Sequence, residues 1–405
     1  MIAPGTYDDV FRLIEGERYA LGRKVDGSMR YALCDSEGNL LTGIEYEMFD
    51  AVDEVILFRK DARYGAMDLG GKIVISPLYS QLVYAGDGQY LALTTDPKDD
   101  NSDEIWVVVP EEDPLSTGIR TADGLHAFSD GRMRYRSPNS EFYGYVDAQG
   151  KSAVEPIFEF AGDFRGGLAL ASSEGLYGVI GVDGIWRIRP EFEYLERGDG
   201  IFLGMKEGGT CIAFNAESGV ERYRIDKPCR GAAVVGSYAV ILEGENLFVY
   251  NMDGEIILET SSNATLTEGS SGELILSDGE WGTQCVSVVR PSGEIAERKD
   301  QHLLPMGENR YAFITMNVAS YYSDALGGIR YSCDYGSLRF GLMDASGNEI
   351  LPAQYLEIRQ LADQRYLLIA QDGLTVTDAD GNALWQVILE ETSDGPAPEA
   401  TQSAS

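Results

Sequence analysis

The chain has 405 residues, of which 66 are acidic and 32 basic, for a net charge of −34. That charge is spread along the sequence rather than blocked. With no basic face to release counterions it repels nucleic acid and anionic membrane alike, so neither is expected as a partner. No apolar run is long enough to span a bilayer, and no charged-then-apolar leader opens the sequence, so the protein as written is expected to be soluble and cytoplasmic.

In chain order the sequence is a succession of turns. An Asp or Asn followed three residues later by Gly marks Asp35–Gly38, Asp68–Gly71, Asp147–Gly150, Asn251–Gly254, Asp344–Gly347 and Asp378–Gly381. Degenerate copies stand at Gly181–Gly184, Asn215–Gly219 and Arg290–Gly293, and one more is hidden around Trp106–Pro110. The steps from 147 to 181, 181 to 215 and 344 to 378 are each 34 residues, and 35 to 68 is 33. A fixed period in this range is the mark of a repeat architecture. Ten units are expected.

Apolar or alternating runs flank each turn, which therefore reads as a hairpin: the Asx side chain bonds its own downstream backbone, and Gly supplies positive φ. A further apolar run precedes each hairpin, as at Leu168–Ala171, Ile201–Met205, Tyr238–Leu242 and Tyr366–Ala370. The unit is thus expected to be a three-stranded antiparallel meander. Pro77, Pro156, Pro190 and Pro352 lack an N–H and are expected to end its last strand. No long segment carries a helical apolar period, so the chain is all-β.

An aromatic–glycine step lies before four of the turns, as Tyr64-Gly65, Tyr143-Gly144, Tyr177-Gly178 and Phe340-Gly341, with Tyr31-Ala32 a near match. With the turn and a following proline and aromatic, these residues resemble the WG (or KWG) repeat of bacterial proteins. The resemblance covers roughly residues 2–389. It departs at Cys211-Ile212, Leu247-Phe248 and Leu374-Thr375, and Trp281-Gly282 is out of register with its turn. It implies a propeller-like β-repeat with no assigned chemistry and no catalytic residues to carry over. The aromatics are expected to fill space between repeats, and the glycines to let a backbone or ring approach closely. Ten units exceed the usual propeller blade number, which leaves one large ring, two smaller propellers or an open β-solenoid. The repeat domain is expected over 1–389, followed by a polar, Pro-punctuated, disordered tail at 390–405. Residues 2–10 read as the after-hairpin half of a repeat. An upstream segment would then place the protein outside the cell or on its surface.

Few residues invite chemistry. Cys34, Cys211, Cys229, Cys285 and Cys333 have no metal-ligand spacing and read as buried free thiols. His126 and His302 lie in different repeats, with no partner at ligand spacing, and read as structural. Asp99, Asn101 and Asp103 imitate the start of a calcium loop, but Glu104 and Pro110 stand where such a loop needs Gly and a carboxylate. No metal or cofactor is expected. The acidic residues are too numerous to single out a glycosidase pair. The ninth unit is lengthened to 54 residues between positions 290 and 344, and the insertion holds Tyr321, Tyr322, Tyr331 and Tyr335. Tyrosines among small polar residues suit an adaptable contact, so this is the candidate binding loop. An extended hairpin that covers an edge is the plainer reading. The function expected is that of a non-catalytic scaffold binding an unknown protein partner. The alternative is a surface propeller that binds or cleaves glycans.

Overall fold

The computed structural model describes residues 7–14, 17–94, 103–269, 272–278, 285–289, 295–299, 302–307, 310–323, 329–344, 346–361 and 364–388. The tail at 390–405, the turn at Arg290–Gly293 and the Trp281-Gly282 step lie outside the described residues. Among the described residues there is no α-helix, and the strands form ten small antiparallel sheets in chain order. The chain divides into two compact units, Met1–Pro228 and Cys229–Ser405. Six sheets fall in the first and four in the second. The fold is an all-β, propeller-like repeat.

Nine sheets have four strands rather than the three expected. In the fifth they are Phe160–Ala161, Leu168–Ser173, Leu176–Gly181 and Trp186–Phe192, paired in sequence order. The additional strand is the first. In four sheets it begins one residue after the last strand of the preceding sheet, as where Tyr194–Arg197 follows Phe192 across Glu193 alone. No turn residue separates the two, so the sequence pattern merges them. The first sheet has three strands, and the isolated bridges Tyr31↔Tyr46 and Cys34↔Leu40 stand where its fourth would be.

The turns are built by their leading side chain. Oδ1 of Asp147 accepts the N–H groups of Gln149 at 3.0 Å and Lys151 at 2.9 Å, and Gly150 closes the turn at φ +69°. Asp68 and Asn251 repeat this arrangement. In the turns of Asp35 and Asp378 the fourth residue on is also Asn, and its Nδ2 donates to Oδ2 at 2.9 and 3.0 Å. These hydrogen bonds, the Asn side chain first and its backbone N–H second, hold both carboxyls below their ordinary value.

The aromatic–glycine step has a geometric cause. In the fifth sheet Tyr177 pairs with Phe192 and Val179 with Ile188, so three residues, 189–191, bulge opposite the single Gly178. The same bulge faces Gly65, Gly144 and Gly341. A Cβ at Gly178 would lie 2.5 Å from the carbonyl oxygen of Ile188, and at Gly144 2.6 Å from that of Val154, closer than such atoms approach. The prolines do not end the last strand as expected. Pro77, Pro156, Pro190 and Pro352 lie inside it, within the bulge of an edge strand, where no ladder needs their N–H. Where the step is replaced, at Cys211-Ile212, Leu247-Phe248 and Leu374-Thr375, the ladder opposite runs in regular register and its strand contains no proline. In the third sheet the bulge opposes Ile105 and carries its own glycine, Gly118, at φ +69°.

Consecutive sheets within each unit bury their cores against one another. Ile188 and Phe192 of the fifth sheet pack on Leu195, Phe202, Ile212 and Phe214 of the sixth, with the Phe192 and Phe214 rings edge to face at 5.6 Å. The aromatics of the motif are only half-buried. Their cross-strand partners fifteen residues on fill the core instead: Tyr46, Tyr79, Phe158 and Phe192 are all under a tenth exposed. Arginines at the start of second strands tie one sheet to the turn of the next. Arg18 Nε donates to the Leu69 carbonyl at 2.6 Å, Arg132 to Val182 at 3.2 Å and Arg310 to Ala379 at 3.3 Å.

Two outcomes follow from this geometry. Gly144→Ala should cost about 1–3 kcal/mol through overpacking against the bulge. Thr375→Ala, opposite a regular ladder, should stay within about 0.5 kcal/mol. Urea midpoints measure both, and equal midpoints would remove the bulge as the reason for the glycine. The depressed carboxyls of Asp35 and Asp378 contribute stability that is complete above the unfolded aspartate value of about 3.9 and is lost as pH falls through their lower folded values. Carboxylate titration by NMR should therefore place both midpoints below that of the unfolded chain. A midpoint at or above it would contradict the turn geometry.

Candidate functional site: the extended hairpin of the ninth sheet

Most second and third strands of the ten sheets are four to eight residues long, whereas those of the ninth are Arg310–Ser323 and Ile329–Asp344, 14 and 16 residues. At their root they belong to a four-stranded sheet. His302–Pro305 pairs with residues 311–314, and Glu349–Tyr355 pairs with residues 340–343. Beyond the root the ladder continues from Asn317↔Asp334 to Ser323↔Ile329, where in the described ladders these residues pair only with each other. The insertion is therefore a two-stranded ribbon carried on a blade-like sheet.

Between root and ribbon lies a break. Thr315 pairs with Arg339 and Asn317 with Asp334, so residues 335–338 bulge out of the ladder. Arg339 closes on this bulge, with Nη1 donating to the carbonyls of Gly336 at 3.0 Å and Leu338 at 2.7 Å. A bulge increases twist and redirects a strand. Tyr321 and Tyr331 are register partners, Tyr322 pairs with Arg330, and Tyr335 falls in the bulge. The side chains of these four tyrosines lie outside the described residues. What the backbone offers is plain: a two-stranded ribbon is marginal alone, and its open edges present N–H and C=O groups to any strand laid beside them.

The remaining sequence candidates are dispersed. Asp99 and Asn101 lie outside the described residues. Asp103 is held by Arg120, whose Nε donates to its Oδ1 at 2.7 Å. His126 Nε2 sits 3.2 Å from Asp123 Oδ2, and His302 belongs to a strand of the other compact unit. Among the described residues no group of three His, Cys, Asp or Glu is arranged to hold a metal. Cys34, Cys211 and Cys229 are buried and not joined in disulfides. Cys34 lines a cavity of about 570 Å³ at the first sheet with Tyr19, Leu21 and the Asp35–Gly38 turn. Burial first, and then the charge of Asp35, pushes its thiol up, which keeps it protonated and a poor nucleophile. Absent from the sequence candidates is a basic seam made by Arg187, Arg189, Lys206 and Arg224. Its members are scattered over the sequence and converge only when two sheets pack.

Comparison with known proteins places the repeat. Residues 143–177 match the family model of the WG containing repeat, the family that the aromatic–glycine steps resemble. No curated protein matches the chain. Among solved structures it is similar to BamB from Moraxella catarrhalis at 13% identity and a TM-score of 0.31, covering 72% of this chain and 96% of that one. It is also similar to the computationally designed Ika8 protein at 12% identity and a TM-score of 0.31, covering 71% and 94%. A third is Hsv2p of Kluyveromyces lactis, at 11% identity and a TM-score of 0.32, covering 65% and 99%.

Proposed function

We propose that the chain is a non-catalytic repeat scaffold that captures a protein partner through the extended hairpin of its ninth sheet. The observation that carries the reading is the length of that ladder. Its outer part, from Asn317↔Asp334 to Ser323↔Ile329, extends past the strands that flank its root, and no neighbouring strand of the sheet runs beside it. The four-stranded root is paired without the ribbon, so its ladder does not call for one. A protein partner does. A strand added along the ribbon would satisfy the open backbone groups, and the tyrosines would supply amphipathic contact area at low rotamer cost.

The absence of catalysis in this reading rests on what the site residues are engaged in. Asp103 is tied to arginine, and the Cys34 thiol is held protonated. A glycan platform draws no support from Trp186, which packs edge-on against Phe158 at 5.4 Å in the core between the fourth and fifth sheets. The test is deletion of residues 317–335 with a short turn in their place. Partner capture, read by crosslinking in the source cell and quantitative mass spectrometry, should fall to background, while the circular dichroism spectrum and melting temperature stay within a few degrees. Undiminished capture would take the hairpin out of the reading.

A further inference from the structure

Repeats of one unit act as controls for one another, and one seam differs from its counterparts at the second and fourth sheets. Between the fifth and sixth sheets a groove of about 220 Å³ is lined by Arg187, Arg189, Lys206 and Arg224 over a floor of Ile188, Phe192, Ile212 and Phe214. Glu191 and Glu221 complete the rim and Asp183 pairs with Arg187, so four cations meet three carboxylates, a local surplus of one positive charge in a chain whose net charge is −34. At the ladder positions of Arg187 and Arg189, the second sheet has Val74 and Ser76, and the fourth has Ala153 and Glu155. Where Arg224 stands, the same sheets expose Leu78 and Ile157, each about 60% accessible. The fold therefore does not require these cations.

The cations are held but not consumed. Arg187 Nη2 meets Asp183 Oδ2 at 2.8 Å, Lys206 Nζ meets Glu191 Oε2 at 2.6 Å, and Arg224 grips Glu221 with two bonds of 3.0 and 3.2 Å. Lys206 Nζ also lies 5.3 Å from the centre of the Phe192 ring. Exposed pairs of this kind contribute little, so a carboxylate arriving from outside can share or replace the internal one at small cost. Guanidinium forks favour bidentate carboxylate contacts. The groove is flanked by Glu221–Ile225, the edge strand of the sixth sheet, whose outer backbone groups suit an extended chain.

We propose that this seam is a second docking groove, one that takes an extended acidic segment of a partner protein, with carboxylates on Arg189 and Arg224. The inference rests on the reading of the chain as a protein-binding scaffold but on different residues from the hairpin. The probe is a short fluorescein-labelled peptide alternating glutamate with leucine, titrated against the full chain by fluorescence anisotropy. Binding should weaken as salt rises. It should fall at least about tenfold in the double variant Arg189→Glu, Arg224→Glu, and by less in Arg189→Gln, Arg224→Gln, with melting temperatures unchanged. The chain lacking residues 317–335 should bind the peptide as well as the full chain does, which separates this groove from the hairpin. Equal affinity in the charge-reversed chain, or equal binding of a peptide with lysine in place of glutamate, would overturn the proposal. So would full displacement of the peptide by citrate at matched charge, which would mark a site for small anions.

Discussion

Four of the ten sheets are shaped by one constraint: three residues of an edge strand pass opposite one residue that has no side chain. The bulges at 76–78, 155–157, 189–191 and 352–354 bring a carbonyl to within 2.8 Å of where a Cβ would stand on Gly65, Gly144, Gly178 and Gly341. Once the bulge exists, glycine opposite it, proline within it and the aromatic that follows it are no longer separate preferences. The bulge shifts the strand so that this aromatic pairs with the motif aromatic and turns into the core, as Phe192 does beneath Tyr177. The sixth, seventh and tenth sheets give the converse. Their ladders are regular opposite the replaced step, and the glycine and the proline are lost together.

The same logic explains which parts of the fold were legible in the sequence. The turns could be read because their signal is local: an Asx side chain, two N–H groups and a glycine at positive φ all lie within five residues. The number of units followed from counting them, including the degraded copy near Trp106. The first strand was not legible in the sheets entered through a one-residue connection such as Glu193, which carries no turn chemistry. The arginine ties were not legible either, since Arg18 and Leu69 or Arg132 and Val182 are about fifty residues apart and meet only across a sheet-to-sheet interface. The lengthened ninth unit was visible as a stretched period, but its form as one continuous ladder with a bulge was not. The basic seam was hidden by the same separation along the chain, and its charges vanish in a whole-chain average of −34.

A repeat architecture also shapes how function is added. Within each compact unit a sheet packs on its sequence neighbours, so stability there is close to a sum of unit and nearest-neighbour terms. A hairpin lengthened in one unit, or a pair of strands recharged at one seam, perturbs one or two of those terms and leaves the rest intact. Surface charge on Arg187 or Arg224 does not reach the core that Phe192 and Phe214 form beneath it. Residues that recur from copy to copy therefore report on folding, and residues present in one copy report on binding. By that criterion Gly178 and Asp147 are architecture, while Arg189, Arg224 and the ribbon from Asn317 to Asp334 are the positions that this chain alone, and not its repeat, has reason to keep.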